Sequence, residues 1–179
     1  MPVYPPAPWR LAGPVAVAGS SRTGAVLLLG LYHETSTLHY GEIAATIGPV
    51  VRWMYVDDMR SLAGGREIWA VPKEGMTVRW RGGARTEVEA YDAAGALLLR
   101  ARWAAPHVRL PLPCVTPCVG TLGGTVRVAW LAGALRGGPV TIDLEVPERS
   151  PVAALKLAGR RPGVAGRLDV SATRPLRLR

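Results

Sequence analysis

Glycine and proline interrupt this chain so often that a long helix has little room to form. Twenty-one Gly and sixteen Pro are spread over 179 residues, and short apolar or alternating segments stand between them. That pattern belongs to a mainly β domain (α+β class) with a few short helices. Strands are expected near Val15–Gly19, Ala25–Tyr32, Val50–Asp57, Arg66–Val71, Thr77–Arg81, Glu87–Tyr91, Ala96–Trp103, Thr125–Leu131 and Val140–Val146. The clearest hairpin is "EVEAYDAAGALLLRARW", where Asp92 starts the turn and Gly95 supplies positive φ. So many strands must pair their edges, and a barrel or a strongly curved sheet does so most economically.

Two short helices are expected. "SPVAALKLAG" offers Ser150 as N-cap, Pro151 at the first helical position and Gly159 as terminator. "DDMRSLAGG" offers Asp57 or Asp58 as cap and a stop at Gly64–Gly65. The length fits one domain spanning residues 1–179. "YPPAPW", from Tyr4 to Trp9, reads as an extended arm.

The longest strongly apolar run, Ala25–Tyr32, is far below the roughly 20 residues of a membrane-spanning helix, so no membrane association is expected. The first ten residues lack a basic leader and an apolar core, which makes the cytoplasm the default location. Cys114 and Cys118 in "PCVTPC" lie about 13 Å apart if extended, too far for a disulfide, and read as buried thiols. His33, His39 and His107 show no zinc-type spacing, so no metal site is expected. A formal charge of +9 raises the question of nucleic-acid binding. The arginines are scattered singly along alternating strands, without aromatic interleaving, and a field that attracts small anions is the better use of them.

Lysine is rare: Lys73 and Lys156 stand against twenty arginines. An extended Arg66–Lys73 segment puts Glu67, Trp69, Val71 and Lys73 on one face, with Pro72 ending the strand at a rim. An unperturbed lysine is neutral only about once in 2,500 molecules at pH 7, so a nucleophilic role requires apolar walls that disfavour the ammonium. A neutral amine attacks a ketone to give an iminium, which accepts the electrons released when a neighbouring carboxylate leaves as CO2 or when a C–C bond forms or breaks. A surface lysine whose stem covers Trp69 is the alternative reading.

The stretch "VVRWMYVDDMRSLAGGREIWAVPKEG", Val50 to Gly75, resembles the acetoacetate decarboxylase family: Tyr-Val-Asp at a strand end, a spacer, Gly-Arg-Glu, then Pro-Lys. "PPAPWRLAG" is similar to that family's N-terminal signature, and "YHETSTLHYGE" to the region before its pocket glutamate. The resemblance implies a β-barrel-like fold around an apolar pocket, with Lys73 at the Schiff-base position and Glu42 at that of the pocket carboxylate. It also implies Tyr40, Trp69, Val71, Arg66 and Glu67 as substrate-binding candidates, Arg66 and Glu67 having surface pairing as their alternative. Glu74 stands where the decarboxylases have a second lysine, and Ala12 aligns with their N-terminal pocket arginine, Arg10 lying nearby. The function implied is a lysine Schiff-base enzyme on a small keto acid, without metal or organic cofactor and with decarboxylation favoured. Aldol addition with dehydration on a pyruvate-like acid and a non-catalytic ligand-binding protein are the alternatives. A homo-oligomer is the expected assembly, which would also cover strand edges.

Overall fold

The computed structural model describes residues 7–33 and 35–178, so residues 4–6 of the expected N-terminal arm lie outside the described residues. The described residues form eleven strands, one α-helix and one 3-10 turn: β1 (Trp9–Gly19), β2 (Ala25–Tyr32), β3 (Tyr40–Ile47), β4 (Val50–Val56), α1 (Met59–Glu67), β5 (Lys73–Arg81), β6 (Arg85–Asp92), β7 (Leu97–Ala104), β8 (Leu110–Leu122), β9 (Thr125–Glu145), the 3-10 turn (Pro151–Leu155), β10 (Gly159–Ala172) and β11 (Leu176–Leu178). No helix among the described residues is long and apolar enough to cross a membrane.

Hydrogen bonding runs β10-β1-β2-β3-β4-β5-β6-β7-β9, and β9 pairs in turn with β10, so the path returns on itself. The large curved sheet expected from the punctuation is present. Its neighbours along this path are antiparallel except β4 and β5, which run parallel with Met54 opposite Lys73. A parallel pair needs a crossover, and α1 supplies it.

The central strands are covered on both faces, which explains their near-continuous apolar runs. In β3, Ile43 and Ala45 point into one core with Leu27, Leu29, Leu99 and Ile142. The alternate Tyr40 and Ala44 point into a second core with Val15, Tyr32, Met54, Val56 and Val71. This second core surrounds the candidate site.

Several expectations hold. Ala25–Tyr32 is a strand with the expected bounds. Gly95 has φ +83°, and Asp92 Oδ1 accepts hydrogen bonds from the amides of Ala94 and Ala96. Ser150 caps the 3-10 turn by accepting from the Val152 amide, although the turn ends at Lys156 in the left-handed region rather than at Gly159.

Other expectations are corrected. Arg66–Val71 is not a strand: α1 continues through Glu67, and residues 68–72 form a connection. Thr125–Leu131 and Val140–Val146 belong largely to one 21-residue strand. "LPLPCVTP" is itself a strand, and Pro111, Pro113 and Pro117 share one parity, so their missing donors fall along a single edge. Cys114 and Cys118 are free thiols, half-buried rather than buried.

Candidate active site

The crossover decides where Lys73 lies. Asp58 caps α1, its Oδ1 accepting from the Ser61 amide at 2.8 Å. The helix passes through Gly64 and Gly65 instead of stopping there. A Cβ on Gly65 would lie 2.2 Å from Lys73 Cδ, so the glycine is the slot that admits the lysine stem. After α1 the chain reverses tightly: the Val71 amide donates to the Gly65 carbonyl at 2.9 Å, and Ala70 takes φ +51°. Strand β8 closes on this reversal so closely that a Cβ on Gly120 would stand 2.0 Å from the Trp69 carbonyl oxygen. Arg127 of β9 donates from Nη1 to the Ile68 carbonyl.

These supports deliver Lys73 to the first position of β5 with only 7% of its surface exposed. Nζ donates to Ser61 Oγ at 2.9 Å and stands 3.9 Å from Glu42 Oε2. The Tyr40 ring centroid lies 5.4 Å from it. Glu42, on the neighbouring β3 and 6% exposed, accepts from the Tyr32 hydroxyl at 3.3 Å. Tyr32 and Tyr40 meet edge to face with centroids 5.0 Å apart. Together they wall in the carboxylate.

Burial governs the protons here. It pulls the Lys73 amine below the ordinary lysine value, and the nearby Glu42 charge opposes that shift without being its largest cause. Burial likewise pushes the Glu42 carboxyl upward, against Lys73 and hydrogen bonds from Tyr40 and Tyr32. The two groups share an apolar enclosure in which both neutral forms are favoured, so their protons come off as a coupled pair. Burial, then Glu42, holds the Cys118 thiol up at about 11.

Beside these groups lies a cavity of about 120 Å³. Its walls include Trp9, Leu11, Leu38, Met54, Trp69 and Leu131, with Tyr40, Glu42, Ser61, Val71, Lys73 and Cys118 contributing the deeper surface. On the measure by which one water needs about 10–15 Å³, this admits a small molecule rather than a lone solvent.

The sequence candidates therefore divide. Lys73, Glu42, Tyr40, Trp69 and Val71 meet at the cavity. Arg66 and Glu67 do not line it: both are exposed, because the helix that replaces the expected strand turns them outward. Arg66 instead clamps the Lys73 backbone, its Nε donating to the Lys73 carbonyl at 2.7 Å. Glu74 lies on the other face against Tyr55, whose pKa is raised to about 12 by burial and then by Glu74. Arg10 is held bidentate by Asp169 at 2.8 and 2.7 Å, away from the cavity wall, while its neighbours Trp9 and Leu11 line it. Ser61, Cys118 and Arg60 reach the cavity unforeseen. Ser61 was legible only as the third residue after Asp58, and the contact to Lys73 depends on the crossover.

The backbone has counterparts among known structures. It superimposes on an acetoacetate decarboxylase from Legionella pneumophila subsp. pneumophila str. Philadelphia 1 with a TM-score of 0.72 at 14% identity, covering 100% of this chain and 90% of that one. The chain has the acetoacetate decarboxylase-like fold. An acetoacetate decarboxylase-like enzyme from Sphingomonas wittichii RW1 is similar with a TM-score of 0.65 at 14% identity, over 95% of this chain and 91% of that one. The enduracididine biosynthesis enzyme MppR, complexed with pyruvate, gives 0.64 at 13% identity, over 98% and 91%. No family model matches the sequence, and no curated protein matches it significantly. At such identities the likeness speaks for the acetoacetate decarboxylase-like fold, and the chemistry has to be argued from the cavity.

Proposed function

We propose that this chain is a lysine Schiff-base enzyme acting on a small keto acid, with decarboxylation as its leading chemistry. The observation that supports this most is a lysine amine enclosed by apolar walls, 3.9 Å from an equally enclosed carboxylate and beside a cavity of substrate size. Desolvation activates the amine; no second lysine follows Lys73 to assist.

The neutral Lys73 Nζ attacks the ketone carbon, forming a C–N bond while the carbonyl oxygen takes up the proton that nitrogen gives up. Loss of that oxygen as water, with a second proton, leaves an iminium. In a β-keto acid the bond to the carboxylate then breaks, CO2 leaves, and its electron pair enters the new C=C bond as the iminium π pair moves to nitrogen. Glu42, whose carboxyl is shifted by burial toward the protonated form, is the group that protonates the enamine carbon. Water then cleaves the resulting iminium, releasing the ketone and returning the amine.

A second reading shares the first covalent step. An α-keto acid such as pyruvate forms the same iminium and loses a methyl proton to give an enamine. Attack on an aldehyde carbon followed by loss of water then retains the carboxylate. Two observations support it: Glu74 replaces the second lysine, and MppR has been solved with the condensation product of pyruvate and imidazole 4-carboxaldehyde.

Borohydride reduction tests the proposal. With acetoacetate or pyruvate, a reduced adduct is expected on the Lys73 peptide and not in Lys73→Met. CO2 release, measured against condensation with an aldehyde, assigns the subsequent chemistry. No adduct with any keto acid would reject the enzyme and leave a ligand-binding cavity.

A further inference from the structure

Besides Lys73 and Glu42, Arg60 is the one charged side chain among the described residues that line the cavity. It is the second residue of α1, and its side chain is 62% exposed, which sets it at the mouth rather than in the interior. Much of the remaining wall is apolar, including Trp69, Ile68 and Leu131.

Given the Schiff-base reading, on which this inference rests, a keto acid places its carbonyl at the Lys73 amine. Its carboxylate then has few tolerable positions. Near Glu42 it meets a like charge whenever that group is ionised, and against the apolar wall it loses water without gaining a partner. At Arg60 it finds a planar cation with several donors and retains part of its hydration.

We infer that Arg60 is the specificity-determining residue that captures the substrate carboxylate, so that keto acids enter carbonyl first with the carboxylate at the mouth. The group now beside it is a weak competitor. Arg60 Nη2 stands 3.5 Å from Asp58 Oδ2, longer than the ~2.7–2.9 Å of a direct charged hydrogen bond, while Asp58 Oδ1 is committed to the Ser61 amide. An incoming carboxylate can displace a pair held this loosely. Since the side chain is largely in water, its contribution lies in capture, which appears in the half-saturating concentration more than in the limiting rate.

The test compares borohydride trapping at Lys73 over a concentration series of acetoacetate and of the neutral ketone acetone. The wild type is expected to half-saturate at lower acetoacetate than acetone. Arg60→Met is expected to reduce this preference about tenfold, near the low end for a hydrogen bond to a charged group, because the site is wet. Arg60→Lys should keep most of it. Asp58→Asn, which still caps α1, should increase it by removing the competing charge. An unchanged acid-over-ketone preference in Arg60→Met, with trapping intact, would overturn the role of Arg60 and leave the Schiff base standing. Failure of the wild type to trap either compound would overturn both. Where Arg60→Met traps neither, Asp58→Asn decides: a preference that fails to rise rejects the inference.

Discussion

Two glutamates of this protein have almost the same small accessible surface, and their protons are governed in opposite directions. Glu42 in the cavity is 6% exposed and Glu89 on β6 is 7% exposed. Glu89 is held below the usual carboxylate range, chiefly by its hydrogen bond from Arg100, whose Nε lies at 2.8 Å. Arg100 also donates to Glu145 of β9 at 2.7 Å, so a single guanidinium joins three strands. Glu42 is pushed upward because burial outweighs its cation, which stands 3.9 Å away and donates to Ser61 instead. Low exposure alone therefore does not set the proton. Lost water is the largest influence at Glu42 and a smaller one at Glu89, where a direct charged hydrogen bond outweighs it.

This contrast can be broken from either side. Glu42→Gln should have the largest effect, lowering turnover about a hundredfold or more if the carboxyl moves the proton. Because the Glu42 charge raises the proton affinity of Lys73, the pH at which the amine becomes trappable should fall in that variant, measured by borohydride trapping across pH. Gly65→Ala comes next. The new Cβ meets the lysine stem at 2.2 Å, so the amine must move, and a displacement near an ångström can cost about a hundredfold in adduct formation. Its thermal unfolding should change less, since a flexible stem yields.

Ser61→Ala converts the cavity towards the Glu89 arrangement. Without Ser61 Oγ, Lys73 Nζ loses the acceptor that holds it away from Glu42 and is free to turn from its present position. Trapping at neutral pH should drop about three- to tenfold, the worth of one ordinary hydrogen bond. The smallest effect belongs to Arg100→Met, which leaves the cavity alone. A carboxylate with a depressed native pKa adds stability above its unfolded value, and that stability is lost as pH falls through the native one. The wild type should thus exceed Arg100→Met in stability near neutrality, and the gap should close as acid protonates Glu89, read from denaturant midpoints over pH.

How much of this was legible varies with how local the cause is. The Asp92–Gly95 turn and the Ser150 cap arise from a few neighbouring residues, and both stand where the chemistry of those residues puts them. Strand β2 was legible because an apolar run of that length between turns has few alternatives. Gly64–Gly65 misled, since a glycine pair reads as a helix stop when its real constraint is a side chain eight residues onward. That error also turned Arg66–Val71 into a strand and put Glu67 on the Lys73 face. Strand β8 was missed because three prolines look like a loop until their common parity is matched to one edge. Lys73 and Glu42 were found through local motifs; their separation and their link through Ser61 depend on three elements meeting, which no local pattern carries.

Schiff-base chemistry in this cavity requires the Lys73 amine to lose its proton more readily than a free lysine. Competitive labelling with a small acylating reagent, followed across pH by mass spectrometry of the Lys73 and Lys156 peptides, measures this directly, since those are the two lysines of the chain. The midpoint, unlike the absolute rate, is insensitive to how slowly reagent enters the cavity. A Lys73 midpoint well below the value of about 10.4 for a free side chain is the expected result. A midpoint at or above that value would contradict activation by burial and remove the basis for Schiff-base chemistry.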